Sequence, residues 1–485
     1  MDFAAALANL EKSAQRAARN TDDDRPRVRP PEHRESHPRR NQRPRYDNHN
    51  RGRGGYAGRG YPSRNPLDAL ADYGYRCLPP YRPLPLHSSS SDTKPKHIAL
   101  LAISIDDLPY EHIWKEWAAS SKSQHKVSLL CHAKFPLQVK SSWLRQRLLT
   151  EPPKMGRGNS FSDPIFHSHC PEWGSIQITR AMVDLLAAAM EIGRNSNSDR
   201  EKDERFTRRR YMIEESLPAE VPMVDKFIFI SETCLPVTTL DECIQSLFAA
   251  TATERRLVGQ TRNDDSNATV TRANPWEVSW VNARNRNTPG TPRNKYERDQ
   301  FCDIHRMIPQ SMRWKADQWI VLSRPHAAAV LDLDQHMRPH EQMWNLFKHV
   351  NASDEMYFPT ALAVLQILAE SESSREQVCL QPVTYTDWSE GMRNPATFSA
   401  NDLRRIVKVA RQGGCLLARK FSPTNSSGEH VGDISTDEWK KVLEEVTRES
   451  VDQKATGVTS DSEEQVVTVQ TKLELSDVIG NDERN

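Results

Sequence analysis

The chain has no apolar stretch long enough to cross a bilayer, which takes about 20 consecutive apolar residues in a helix. Its longest apolar runs span residues 98–105 and 185–190. Residues 1–18 lack the unbroken apolar centre of a signal peptide, because charged residues interrupt them, and they predict a short amphipathic helix instead. We therefore expect neither a secretion signal nor a membrane anchor.

Cysteine motifs are also missing. The chain has 8 cysteines, but none of them form a Cys-x-x-Cys pair, and they are too scattered for a dense disulfide framework. This pattern neither requires nor excludes an oxidising compartment.

Net charge is almost absent, at +1, so the overall composition does not indicate a nucleic-acid partner. The charge is distributed unevenly, however. Residues 21–82 are rich in Arg, Pro, Asn, His and Gly and nearly lack aliphatic residues, which predicts disorder. Within them, residues 51–61 interleave Arg, Gly and Tyr, a composition that can bind RNA weakly and without sequence preference, although a solvated linker is the favoured interpretation.

The domain organisation follows from these shifts in composition. A mean hydropathy of −0.73 and 31 prolines indicate that much of the chain lies outside a core. We predict a disordered basic region at 1–90, one folded domain at 91–425 and an acidic, mostly disordered tail at 426–485, with one helix at 436–446. Polar insertions are expected within the domain at 191–220 and 255–312. The second insertion is too long for an ordinary connection, so it is either a substrate loop or disordered.

The folded region begins with two short apolar segments, 96–105 and 126–131, separated by a helical pattern. A third apolar segment, 225–231, also predicts a buried strand. The strand, helix, strand order is typical of a parallel sheet in an α/β domain, whose ligands bind beyond the carboxyl ends of the strands. We therefore expect the polar residues that follow these strands to lie near a ligand. They are Asp106, Asp107, His132 and Lys134. The acidic pair could hold a divalent metal, but hydration of a loop is the more common role.

Two further patterns suggest metal ligands but do not predict a metal site. His167-Ser168-His169-Cys170 has ligands at close spacing, yet structural zinc needs four and catalytic zinc three, and no matching second cluster follows. Asp332-Leu333-Asp334 has the Asp-x-Asp spacing of many sugar-nucleotide enzymes, but it falls on a predicted helix rather than after a strand. A strand is predicted just before it, at 313–323.

Residues 353–360 combine two carboxylates with an aromatic pair and a proline that can open a helix, predicted at 360–368. A carboxylate at such a junction is favoured in its ionised form by the helix start. It can then act as a general base for a hydroxyl bound beside Tyr357. Helix capping by Asp354 and Glu355 is the alternative that these eight residues alone favour.

Five groups of short motifs stand in a fixed order between residues 97 and 423. They are Glu172-Trp173-Gly174; Ser231-Glu232-Thr233-Cys234-Leu235-Pro236; Gln318-Trp319; Asp354-Glu355-x-Tyr357-Phe358-Pro359-Thr360; and Asp387-Trp388-Ser389 with Pro395-Ala396-Thr397-Phe398 and Ala418-Arg419-Lys420-Phe421. In this order they resemble the Core-2/I-branching β-1,6-N-acetylglucosaminyltransferase family, especially its plant- and protist-type branch. The resemblance implies a glycosyltransferase-A-like α/β domain with a mostly parallel central sheet. It also implies inverting transfer from a UDP-sugar to a hydroxyl of a glycan or glycoprotein.

The resemblance also implies site residues. The catalytic base falls on Glu355. An arginine and a lysine neutralise the leaving diphosphate without a metal, and they fall on Arg393 and Lys420. Fixed cations suit that task because negative charge develops on the leaving phosphate. The other expected positions are Ile105, Asp106 and His132 on the nucleotide side, and Glu232, Trp314, Trp319 and Tyr357 on the acceptor side.

No metal or other cofactor is expected, and N-acetylglucosamine is the sugar that the resemblance favours, with xylose as an alternative. The family implies the Golgi or secretory lumen, whereas the missing anchor leaves the cytoplasm open. A binding protein that keeps an inactive transferase fold and acts through its Arg-Gly tail is the alternative from another functional class.

Overall fold

The computed structural model describes residues 95–150, 165–193, 221–249, 274–285, 304, 308–335, 343–370, 376–388, 395–424, 430 and 432–456. All of them belong to one compact unit, Pro62–Asn485. The predicted amino-terminal region at 1–90, Arg393, and most of the two polar insertions lie outside the described residues. None of the helices in the described part of the chain has the length and apolar character needed to span a membrane.

The centre of the domain is a six-stranded sheet. In chain order, the described strands are β1 (His97–Ser104), β2 (Lys126–Ala133), β3 (Lys226–Ser231), β4 (Leu235–Pro236), β5 (Ser279–Trp280), β6 (Ala283–Asn285), β7 (Trp314–Ala316), β8 (Val321–Ser323), β9 (Val378–Cys379), β10 (Thr384–Thr386) and β11 (Leu417–Arg419). The central sheet has the order β2-β1-β3-β8-β5-β9. Its pairs are parallel except where β8 meets β3 and β5. The predicted α/β fold with a mostly parallel central sheet is therefore confirmed.

Helices cover both faces of this sheet. They are α1 (Glu111–Ala119), α2 (Ser142–Arg145), α3 (Ile176–Met190), α4 (Leu240–Leu247), α5 (Arg324–Gln335), α6 (Met343–Leu346), α7 (Tyr357–Val364), α8 (Leu403–Gln412) and α9 (Thr436–Thr456). Successive residues of a strand face opposite sides. Ile98 and Leu100 of β1 accordingly join the core beneath α1, α4, α8 and α9, whereas Ala99 and Leu101 join the core beneath α3, α5 and α7. Burial on both faces explains why β1 reads as a continuous apolar run.

Three predicted elements differ from the structure. The strand expected at 313–323 is two strands, because β7 pairs with β6 in a separate two-stranded sheet while β8 pairs with β3 and β5 in the central sheet. Part of the expected insertion at 255–312 is β5, which lies inside the central sheet with Trp280 buried. The helix expected at 360–368 is α7, which begins three residues earlier and ends at Val364. Pro359 fits there because the N–H groups of the first helical turn have no partner within the helix.

The acidic tail predicted at 426–485 contains a longer helix than expected. The helix expected at 436–446 is the longer α9. Its apolar stripe of Trp439, Leu443 and Val446 belongs to the core, and the Trp439 Nε1–H donates to the Pro236 carbonyl at 2.9 Å. This part of the tail is therefore an integral element of the domain.

Candidate active site

The carboxyl ends of the first three strands meet at one edge of the sheet. Ile103 of β1 lies opposite His132 of β2 and Ser231 of β3. The Glu232 N–H donates to the Ile103 carbonyl at 3.3 Å. The residues just beyond these strands therefore share the edge where ligands bind in parallel α/β sheets.

The nucleotide-side residues have different surroundings at this edge. Ile105 is 54% exposed, and the Asp106 carboxylate accepts a hydrogen bond from the Asp107 N–H at 2.7 Å. The Asp107 carboxylate accepts from the N–H groups of Lys140 and Ser141 at 2.9 and 3.1 Å. Asp107 thus orders a loop by accepting backbone hydrogen bonds.

His132 does not face the edge as expected. Its side chain is fully buried, and its Nε2 accepts from the His169 N–H at 3.1 Å. Burial, and secondarily the charge of His169, lowers the pKa of His132 to about 4, so the imidazole is neutral near pH 7. The ring of His132 is therefore not accessible to a nucleotide. Its role is to support the loop that carries His169.

A small three-stranded sheet brings Lys420 to the same edge. β11 runs parallel to β10 and antiparallel to β4, which follows the Glu232 turn. The Phe421 N–H donates to the Thr233 carbonyl at 2.9 Å. Lys420, which directly follows β11, is therefore held beside Glu232.

Charges of both signs interact around Glu232. Burial raises the pKa of Glu232. The neighbouring cations Arg419 and Lys420 lower this pKa, and the Asp106 carboxylate raises it. Burial also lowers the pKa of Lys420, with Arg419 adding to that effect and Glu232 opposing it. Three predicted residues from both sides of the site therefore lie close together, because the charges of Asp106 and Lys420 both act on Glu232.

Arg419 is a further member of this group that the site prediction missed. Its guanidinium carbon lies 4.5 Å from the centroid of the Trp319 ring. Burial lowers the pKa of Arg419, while Cys234 and Glu232 oppose that effect. The only sequence signal was its place beside Lys420 in the last motif. Trp319, expected on the acceptor side, instead packs its ring against this cation.

Glu355 lies in a short 3₁₀ turn, Ser353–Glu355, that precedes α7. The turn is attached to the Glu172-Trp173-Gly174 motif, because the Ala352 N–H donates to the Gly174 carbonyl at 2.9 Å. It is also attached to α3 through a buried hydrogen bond of 2.6 Å between the hydroxyls of Thr179 and Ser353. Two motifs that are remote in sequence therefore meet at the carboxylates.

The two adjacent carboxylates have different environments. The Glu355 Oε2 lies 2.7 Å from the Lys315 Nζ, and the Glu355 side chain is 33% exposed. Asp354 is buried, and its Oδ1 has no hydrogen-bond partner among the described residues. Burial, and secondarily the charge of Glu355, raises the pKa of Asp354 to about 7. Of the two, Glu355 is the carboxylate that a solvent-borne substrate can reach.

Two expected acceptor-side residues are buried. Trp314 lies in the core and its N–H donates to the Thr360 hydroxyl, while Tyr357 packs edge-on against Phe347 and Phe358. Neither ring is accessible to a sugar, because these short elements turn their aromatic rings inward. By contrast, Trp173 is 75% exposed beside Gly174, and Trp388 is 57% exposed.

The structure thus forms two groups of site residues. One contains Asp106, Glu232, Arg419 and Lys420, and the other contains Glu355 with Lys315. The chain between Lys315 and Trp319 runs from one group to the other. Among the described residues, no ion pair or hydrogen bond joins Glu355 to Lys420 directly. Arg393 lies outside the described residues, so its expected position stays a prediction.

The comparison with known families finds a match for part of the domain. Residues 219–407 match the family model of the Core-2/I-Branching enzyme. Over these residues, the chain is similar to the Core-2/I-branching enzymes. The match confirms the resemblance and includes the motifs around Glu232, Trp319 and Glu355, whereas Gly174 and Lys420 lie outside the matched range. A search of curated proteins finds no match.

The Core-2/I-branching family implies glycosyltransferase activity with a UDP-sugar donor and a glycan acceptor. The Arg-Gly run at 51–61 lies outside both the matched and the described residues. RNA binding therefore has no support beyond the composition of that run.

Proposed function

We propose that this protein is an inverting, metal-independent glycosyltransferase that moves N-acetylglucosamine from its UDP donor to an acceptor hydroxyl, with Glu355 as the base. The observation that carries the proposal is the contrast between a fixed, accessible Glu355 carboxylate and a buried Asp354. A base must reach the proton that it removes, and Glu355 satisfies this requirement.

The reaction is a single displacement at the anomeric carbon. The acceptor oxygen forms a bond to that carbon on one face of the sugar, while the bond to the β-phosphate oxygen breaks on the other. The proton of the acceptor hydroxyl passes to Glu355, and the electron pair of the broken bond leaves with UDP. Lys315 holds the carboxylate in place through their 2.7 Å ion pair.

Lys420 stabilises the departing diphosphate. It lies at the carboxyl edge of the sheet beside the Arg419 guanidinium, and two preorganised cations stabilise charge that develops on a phosphate. Arg393 is proposed as a third cation by its place in the family motifs. This arrangement supplies the positive charge that a divalent metal provides in other sugar-nucleotide enzymes.

Replacement of Glu355 by Gln tests the base. The amide keeps the size of the side chain but cannot accept the proton, so we expect kcat to fall by roughly 10²- to 10⁴-fold. Transfer from UDP-N-acetylglucosamine to a panel of glycan acceptors provides the measurement. Glu445→Gln is the matched control, because Glu445 is 29% exposed and pairs with Arg404 at 3.0 Å. Near-wild-type kcat in Glu355→Gln would remove Glu355 as the base.

The sugar itself is tested by thermal unfolding with different UDP-sugars. A ligand that binds the folded state raises the unfolding midpoint, and at equal concentration the rise is larger for the ligand that binds more tightly. We expect UDP-N-acetylglucosamine to raise the midpoint more than UDP-xylose, UDP-glucose or UDP-galactose at equal concentration. A larger shift with UDP-xylose would replace the sugar while leaving the transferase proposal intact.

A further inference from the structure

A second group of functional side chains lies where β2 meets α3. Residues 165–170 run along this junction, where Phe166 forms an antiparallel bridge with Thr150 and the His167 N–H donates to the Leu149 carbonyl at 2.9 Å. The Ser168 hydroxyl lies 2.9 and 3.0 Å from the carbonyls of Ala133 and Lys134. The rings of His167 and His169 lie together, with their centroids 4.6 Å apart.

Asp184 of α3 completes the group. Its Oδ2 lies 2.9 Å from the His167 Nε2 and 2.6 Å from the His169 Nε2, and the two Nε2 atoms are 3.2 Å apart. Three possible metal ligands therefore converge from two segments of the chain. Asp184 follows the His-x-His pair by 15 residues and stands on a helix, so the sequence motif alone showed only two of the ligands.

The separations between these atoms suit a single metal ion. Ligands of a tetrahedral zinc ion, with bonds of about 2.0–2.1 Å, lie roughly 3.3 Å from one another. The separations of 3.2 and 2.9 Å are near that value and the 2.6 Å separation is shorter, so one ion about 2 Å from all three atoms needs only a small outward shift of the Asp184 carboxylate. Imidazole nitrogens with one carboxylate oxygen form a ligand set that zinc and other late first-row metals accept.

The surroundings support a built site. The side chains of His169, His167 and Asp184 are 10%, 31% and 41% exposed, so an ion can enter from solvent on the Asp184 side. The fully buried His132 stacks on the His169 ring at a centroid distance of 5.6 Å, and its Nε2 accepts the His169 N–H. Such outer contacts fix the orientation of a ligating histidine.

We propose that His167, His169 and Asp184 bind one zinc ion, with a fourth position open to water. The ion fastens residues 165–170 to α3, the helix whose Thr179 hydroxyl bonds to Ser353 in the turn that holds Glu355. Its role is to position this part of the domain, and it takes no part in binding the diphosphate. The proposal therefore stands whether or not the transferase reaction is the one proposed above.

Titration of the purified full-length chain with zinc, after removal of bound metal with a chelator, tests the site. Isothermal calorimetry is expected to show one zinc ion per chain. Cobalt in place of zinc is expected to give the visible absorption of a four-coordinate ion with nitrogen and oxygen ligands. Zinc should raise the thermal unfolding midpoint by a few degrees, because it binds only the folded arrangement.

Three variants separate this site from adventitious binding. Asp184→Asn should weaken zinc binding at least tenfold, and the double variant His167→Gln with His169→Gln should abolish it. Cys170→Ser is the control for the exposed thiol nearby, and His430→Gln is the control for an exposed histidine that lies 3.9 Å from a single carboxylate, Asp433. Both controls should bind zinc as the wild type does.

The proposal is overturned if wild-type chain binds zinc no more tightly than Asp184→Asn, or if either control loses the site. Circular dichroism establishes that each variant is folded. If the double variant does not fold, the cobalt spectrum of the wild type decides, because a six-coordinate, pale spectrum would contradict the site. Affinity for UDP should be unchanged in Asp184→Asn, which separates this result from the fate of the transferase proposal.

Discussion

Asp354 and Glu355 are adjacent, yet the fold gives their carboxylates different chemistry. The Asp354 side chain is buried within the 3₁₀ turn with one oxygen unpartnered among the described residues, whereas Glu355 is partly exposed and pairs with Lys315. Burial of a carboxylate disfavours its charged form, which explains the raised pKa of Asp354. The pair therefore combines a partly neutral buried acid with an accessible carboxylate.

The raised pKa of Asp354 predicts a pH-dependent effect of Asp354→Asn on stability. The pKa of this group is 3.8 unfolded and about 7 folded, so the unfolded chain loses the proton first as pH rises. The group therefore contributes stability at low pH that is lost between about pH 4 and 7, and Asn does not titrate. Relative to wild type, the variant should gain about 1–4 kcal/mol in unfolding free energy from pH 4 to pH 8.

Urea denaturation at four pH values measures this difference. Asp433→Asn, at a side chain that is 71% exposed, is the control and should follow the wild type. Parallel pH profiles for Asp354→Asn and the wild type would show that Asp354 titrates normally.

Gly174 is a second residue with a specific structural requirement. Its φ of +71° lies in the left-handed region, and an added Cβ would lie 2.1 Å from the Asn351 Oδ1. Gly174→Ala should therefore cost about 1–3 kcal/mol of stability and lower transfer activity, because the Gly174 carbonyl holds the turn before Glu355.

Gly413→Ala is the matched control, since its φ is −76° and an added Cβ meets only ordinary contacts at 3.6 Å. Denaturation and transfer assays on both variants provide the comparison. Equal, small effects at the two positions would contradict the role assigned to Gly174.

Exposed Trp173 leads to a prediction about the acceptor. It neighbours Gly174, and an exposed aromatic face suits the apolar side of a sugar ring. Trp173→Ala should raise the acceptor KM about tenfold while leaving the donor KM within twofold. Val451→Ala removes an exposed apolar side chain on α9 and is the control. An increase in the donor KM alone would place Trp173 on the nucleotide side.

At the scale of elements, α9 shows how an apolar stripe reveals a helix but not its full length. Trp439, Leu443 and Val446 are spaced to share one helical face, and that stripe predicted the helix as far as residue 446. The helix continues to residue 456 through a polar sequence that carries no such signal. Packing of the stripe into the core supplies the stability that local propensity lacks.

Loss of the Trp439 ring should destabilise the whole domain. Trp439→Ala removes a buried ring and its hydrogen bond to Pro236, so we expect a loss of about 3–5 kcal/mol in unfolding free energy. Lys441→Ala on the same helix is the control, because its side chain is 76% exposed and its 4.0 Å pair with Glu445 is weak. A loss below about 1 kcal/mol for Trp439→Ala would show that α9 docks only loosely.

The strand expected at 313–323 was wrong for a related reason. Its apolar residues belong to two strands with different partners, and β7 ends before Asp317, whose carboxylate accepts from the Asn282 side chain at 2.7 Å. Pairing partners depend on tertiary structure, so periodicity within one segment does not show where the chain leaves one sheet for another. For the same reason, the sequence did not predict β5, a two-residue strand within the polar residues 255–312 that pairs in the central sheet.

At the scale of the whole molecule, the α/β class was predictable because β1, β2 and β3 are each buried on both faces and carry continuous apolar runs. Their parallel order places the residues that follow them, Asp106 and Glu232 among them, at one edge of the sheet. Lys315, Arg419 and Asp184 were missed as site residues because their partners come from remote segments. A lone charged residue on a strand or helix gives no sign of such a partner.

The central claim is that Glu355 and Lys420 act on one donor and acceptor pair. The crystal structure of the chain with UDP and an acceptor glycan tests it most directly. The account predicts that the Lys420 Nζ lies within hydrogen-bond distance of the β-phosphate of UDP. It also predicts that the Glu355 carboxylate contacts the acceptor hydroxyl, next to the position that the anomeric carbon of the donor sugar would occupy. UDP bound at a site that Lys420 does not touch, or an acceptor hydroxyl remote from Glu355, would contradict the account.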